Sequence, residues 1–172
     1  MKSRAVVLAA ALILMLSSTT AALAQAATRE VRGPIWISVP ASAHALQAIQ
    51  VKAPAAGNLT ITITVTGTLV YEHTLGTEGS YCLQLSQISG NVGGCVPDAG
   101  SDSAIRSYVA ADFPTTVPGF GASAQYSIVR TIPVAAGDTY TFYLNGYESN
   151  LNTSWLFQPA MTALFVPGTL LP

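Results

Sequence analysis

The sequence predicts an all-β protein, a single antiparallel β-sandwich. Turn-forming Gly, Pro, Asn and Asp punctuate the chain, and runs rich in β-branched and aromatic residues lie between them. One run alternates strictly between aliphatic residues and threonine. Two further runs are joined by Ala135-Ala136-Gly137-Asp138, which reads as a hairpin connection.

Residues 35–39 form a first short strand, with Pro34 and Pro40 at its edges, and residues 46–53 a second. Pro54-Ala55-Ala56-Gly57-Asn58 reads as a turn, because Gly and Asn tolerate positive φ. In the strand that follows, Leu59, Ile61, Ile63 and Val65 alternate with Thr60, Thr62, Thr64 and Thr66. One face is therefore aliphatic and packs on a core, while the threonine face meets water. Gly67 allows a turn into residues 69–75, and residues 80–86 are the next strand.

Residues 96–124 form a long loop rich in Gly, Pro, Ser and Asp. Its middle fits a helix face through Ile105, Val109 and Phe113, capped by Asp102 and ended by Pro114. It also fits a strand, which the β surroundings favour. Residues 125–134 and 139–147 are strands, with Pro133 near the end of the first, where a missing N–H is tolerable. Residues 155–157 and 161–166 close a chain of about eight or nine strands, at the spacing of a sandwich.

The first 24 residues read differently. Lys2 and Arg4 precede an apolar run over residues 5–16, and Ala22-Leu23-Ala24 follows a short polar stretch. This is the order of a secretory signal peptide, cut after Ala24. The run falls short of the roughly 20 residues that span a bilayer. The expected organisation is a signal peptide over 1–24 and a sandwich domain over 25–172, exported to a periplasm or the outside of a bacterial cell. No integral membrane segment is expected in the mature chain.

Beyond the signal segment the cations are Arg29, Arg32, Lys52, Arg106 and Arg130, against eight acids. Five scattered cations build no basic patch, which argues against nucleic acid and against electrostatic attachment to anionic lipid.

Cys82 and Cys95 are the only cysteines. In an exported chain an even pair reads as a disulfide, and closing this loop is worth about 3 kcal/mol in the chain-entropy model. His44 and His73, the only histidines, are too few for a metal site once the cysteines are oxidised. His73 reads instead as a half-buried, hydrogen-bonded residue in a strand. No cofactor is implied. Asp98, Asp102 and Asp112 lie in the long loop without a calcium-loop pattern and read as solvated. There is no Gly-x-Ser-x-Gly nucleophile elbow. Asn58-Leu59-Thr60 and Asn152-Thr153-Ser154 match a glycosylation pattern that matters only in a eukaryotic secretory route.

The candidate ligand-binding residues are Tyr143, Tyr147, Trp155 and Asn145. Aromatic faces flanked by amides are a common way for β-sandwich modules to hold sugars. The competing account places these aromatics in core or rim packing. The threonine row could order water on a flat surface, but an ordinary solvent face is the plainer account.

Residues 130–146, from Arg130 through Pro133 and Gly137 to Gly146, resemble the late hairpin of jelly-roll modules, and residues 161–167 resemble their closing strand. The resemblance implies a jelly-roll-like sandwich. It also implies trimeric or other oligomeric assembly, as in tumour-necrosis-factor-like domains.

The leading functional reading is an exported, non-catalytic binding or structural protein whose partner is a protein, a glycan or another copy of itself. The alternatives are a small secreted hydrolase using the loop carboxylates and a trimeric assembly module.

Overall fold

The computed structural model describes residues 28–54, 59–90, 95, 103–112 and 122–167. The expected signal peptide, the turn at 55–58, Asp98 and Asp102 lie outside these residues.

The described residues form nine strands: β1 (Thr28–Arg32), β2 (Trp36–Ser38), β3 (His44–Lys52), β4 (Leu59–Glu72), β5 (Gly79–Ser86), β6 (Ser103–Val109), β7 (Ala122–Val134), β8 (Thr139–Ser149) and β9 (Thr153–Pro167). Sheet A has the order β1-β9-β4-β7, with β2 also paired to β9. Sheet B has the order β3-β8-β5-β6. Every pairing is antiparallel.

The pairs are nested. β5 pairs β6, β4 pairs β7, β3 pairs β8, and β1 and β2 pair β9. The chain is thus one long hairpin rolled into two sheets, which is the wiring of a jelly roll. The β-sandwich expected from the sequence is the observed fold.

The alternation seen in the sequence sets the layers. Leu59, Ile61, Ile63 and Val65 of β4 point between the sheets, where they meet Leu83 and Leu85 of β5 and Phe142 and Leu144 of β8. Leu156, Met161 and Phe165 of β9 join the same core. Full burial of each such side chain contributes about 1.5–3 kcal/mol. The sheets are also tied at their edges. Gln47 Nε2 donates to Val31 O at 3.0 Å, and Ser103 Oγ donates to Val129 O at 2.9 Å.

Four expectations need correction. Gly67 does not turn the chain, because β4 runs unbroken from Leu59 to Glu72 and pairs β7 without a register shift. Its glycine serves a close approach instead: a Cβ there would stand 2.5 Å from the Tyr126 hydroxyl oxygen. Residues 155–157 and 161–166 are one strand, β9, interrupted by a bulge opposite Thr66 and Thr68. The extra residue lets Gln158 adopt a φ of 47° while both flanks keep their inward faces.

The third is that residues 35–39 are not the first strand: β1 precedes them at Thr28–Arg32, and with Val31 as its one apolar residue packed inward it carries little strand signal. The fourth is His73, which is not half-buried in a strand. It lies just beyond β4, fully buried, with its ring Nε2 hydrogen-bonded to the Thr77 carbonyl.

The ambiguous stretch resolves as a strand over Ser103–Val109, followed by a turn at Ala111 and Asp112. Pro133 lies on β7, an edge strand, where its missing N–H is tolerated.

Candidate binding surface on sheet A

The two outer faces of the sandwich differ in what covers them. On sheet B, β5 is buried along its whole length, on both sides. Tyr81, Leu83 and Leu85 face the core, while Cys82, Gln84 and Ser86 face outward and are still buried. The chain that leaves β5 folds back over them. Ile88 N donates to Ser86 Oγ at 3.0 Å. Asn145 then grips the same turn with both ends of its amide, accepting from Gly90 N at 2.9 Å and donating to Ile88 O at 2.8 Å. Cys95 closes the cover with a disulfide to Cys82, at a Cα–Cα distance of 5.8 Å. Tyr147 and Ala104 pack against the pair. The disulfide expected from the sequence is present, and it fits an oxidising compartment.

Tyr143, Asn145 and Tyr147 alternate with the inward Phe142 and Leu144, so they share the outer face of sheet B. Asn145 is fully buried and holds the 88–90 turn. Trp155 is elsewhere. It lies on β9, opposite Ser38 of β2 and Val70 of β4, and faces out of sheet A. The structure therefore brings the two tyrosines to one face and Trp155 to the opposite one.

Sheet A presents a different surface. Its outer face carries the β4 threonines at its centre, with Thr131, Val129, Ser127 and Gln125 of β7 on one side and Thr162 and Ala160 of β9 on the other. Thr62 and Thr131 share a hydroxyl hydrogen bond of 2.9 Å, and Thr60 Oγ1 donates to Val166 O at 3.5 Å. Two of these short hydroxyl side chains are thus tied to neighbouring strands.

At one end of this face Trp36 packs on Phe157, with ring centroids 4.7 Å apart and planes tilted by 46°. Trp36 is still 54% exposed. Next to the pair lies an open hollow of about 530 Å³, walled by Phe157, Thr66, Thr68, Gln125, Ser127 and Gln158. Gly67 and Tyr126 also line it. Burial pushes the Tyr126 phenol well above its usual value, and its hydroxyl has no hydrogen-bond partner among the described residues. A second hollow of about 510 Å³ shares Thr66 and Gln158 with the first and reaches Ile35 and the Arg32–Glu30 ion pair, whose nitrogen and oxygen are 2.7 Å apart. Gln158, held at positive φ, stands between the two. A non-glycine residue in that conformation costs energy and is found disproportionately at ligand sites.

Trp36 and Phe157 are not among the candidate ligand residues expected from the sequence. A signal was present. Trp155-Leu156-Phe157 alternates, so both aromatics share one face, and Trp36-Ile37-Ser38 repeats the pattern.

The described carboxylates are dispersed. Glu30 pairs with Arg32, Glu72 accepts from Thr153 Oγ1 at 3.1 Å, and Glu148 accepts from Leu151 N at 2.9 Å. Asp112 is exposed on the turn after β6. No group of three His, Cys, Asp or Glu that could hold a metal ion occurs among the described residues. None of their helices is long and apolar enough to cross a membrane.

No family model matches the chain, and no curated protein matches it. Among solved structures it is similar to the VP2 subviral particle of infectious bursal disease virus, at 13% identity and a TM-score of 0.42, over 82% of this chain and 33% of that one. It is similar too to the Gx strain of the same virus, at 13% identity and a TM-score of 0.41, over 81% of this chain and 32% of that one. The chain thus spans about a third of the length of these structures.

Proposed function

We propose that this chain is an exported, non-catalytic protein that acts by binding, or as a structural component of an envelope or extracellular layer, and that the outer face of sheet A is its working surface. One observation carries the reading. That face combines a hydroxyl-bearing centre with a Trp36–Phe157 pair whose tryptophan is half exposed. Large aromatics at solvent-facing positions are costly to leave unpartnered and are enriched where proteins meet ligands. The disulfide supports an extracytoplasmic location.

The test is light scattering of the oxidised protein across a wide concentration range, beside turnover assays on glycan and ester substrates. A defined oligomer that Val129→Lys dissolves identifies the partner on this face as a second copy. A monomer directs the face to a different ligand. Saturable turnover of any substrate overturns the reading.

A further inference from the structure

We infer that the two joined hollows on the outer face of sheet A form a binding site for a neutral oligosaccharide, with Phe157 and Trp36 as the stacking platform. The inference rests on the reading of the chain as a binding protein. It moves the ligand site from Tyr143 and Tyr147 to the opposite side of the sandwich.

Three observations point to this ligand chemistry. The first is the platform. A pyranose ring with equatorial hydroxyls has an apolar C–H face, which packs on an aromatic side chain while its hydroxyls reach sideways. Phe157 walls the first hollow and Trp36 packs on Phe157, so the tilted pair offers such a surface beside walls that carry hydroxyls and amides.

The second is charge. Among the described residues, the first hollow is lined by no ionisable side chain except the buried Tyr126 phenol. In the second, Arg32 and Glu30 neutralise each other. A phosphate, carboxylate or ammonium ligand would lose its hydration without gaining an unpaired counter-charge, whereas a neutral polyol exchanges hydrogen bonds evenly.

The third is size and continuity. Each hollow lies within the usual range of small-ligand sites, about 300–1,000 Å³, at about 530 and 510 Å³. They meet at Thr66 and Gln158, so one linear ligand can occupy both. Gln158 at φ 47° places a side-chain amide at the junction, where a donor and an acceptor can serve both subsites.

The chain supplies its own reporter. It has two tryptophans, and both Trp36 and Trp155 lie on this face of sheet A. Intrinsic fluorescence therefore reads this surface. The oxidised protein is titrated with cellohexaose, xylohexaose, chitohexaose and maltohexaose, followed by fluorescence and by calorimetry, and the mixtures are analysed for shortened products. The expected result is saturable binding of at least one of these glycans, weakened tenfold or more by Trp36→Ala and by Gln158→Ala. Tyr108→Ala, at an exposed tyrosine on sheet B, leaves the affinity unchanged.

Binding that Tyr143→Ala abolishes and Trp36→Ala leaves intact overturns the assignment. So does the absence of binding to every glycan in the set, with no shortened products. That result leaves the broader binding reading standing. Shortened products overturn the broader reading itself.

Discussion

Gly67 lies under the phenol ring of Tyr126. The two residues face each other across β4 and β7, and a Cβ on Gly67 would stand 2.5 Å from the tyrosine oxygen and 2.9 Å from Cζ. The missing side chain is the space that the ring uses. Gly67→Ala therefore forces the ring or a strand to move and should cost about 1–3 kcal/mol, as overpacked cores do. In denaturant melts, Tyr126→Val should recover part of that loss in the double variant. A loss that adds independently of Tyr126 would show that the ring is not what the methyl meets.

The phenol gives a pH signature. Burial raises the Tyr126 pKa above its ordinary 10.0, so the folded state holds the proton more tightly than the unfolded chain. The associated stability is fully present below pH 10 and falls as pH rises from there toward the folded-state value. Thermal melts between pH 9 and pH 11 should show an alkaline loss that Tyr126→Phe reduces. At pH 7 the same substitution should stabilise by about 1 kcal/mol, because it removes a buried hydroxyl without a partner. Destabilisation at pH 7 would mean that the hydroxyl is bonded.

Asn145 is a candidate ligand amide in the sequence, and its buried position predicts a structural phenotype. Asn145→Ala leaves Gly90 N and Ile88 O without their partner and should cost about 1–3 kcal/mol. Hydrogen exchange at the Gly90 amide should accelerate more than exchange in the core of β4. Unchanged protection at Gly90 would show that the turn is held by other contacts.

The disulfide closes a loop between residues 13 apart in sequence. Replacing both cysteines by serine should cost about 3 kcal/mol. The loss should combine non-additively with Asn145→Ala, since both fasten the same cover over β5. Denaturant melts of the single, paired and combined variants measure this, and strict additivity would contradict a shared cover.

The fold was readable wherever one face of a strand is buried and the other is wet. The β4 alternation is the clearest instance, and the hairpin at Gly137, whose φ is 83°, is another. Legibility failed where the cause was tertiary. Gly67 looked like a turn because the ring that needs its space comes from a strand about sixty residues away along the chain. The Gln158 bulge looked like a break between two strands because a single extra residue interrupts the period-2 pattern. The proposed surface was legible in part. Trp155 stands out in the sequence as an aromatic, whereas Trp36 and Phe157, on the same face, are brought together only by the β2–β9 pairing. Nothing local in the sequence shows that Asn145 holds the turn at Ile88 and Gly90, or that Cys95 comes to lie beside Tyr147.

The nesting of the strands has a consequence for how the chain reaches this state. β9 is the last described strand, yet it lies inside sheet A, between β1 and β4. Until it arrives, β1 and β2 have no partner in the sheet, and β4 is hydrogen-bonded on one side only. Such long-range closure makes folding slow and leaves unpaired strand edges exposed in the meantime. A chain still emerging from a ribosome cannot finish this fold early. Sheet A is complete only when β9 is in place between β1 and β4.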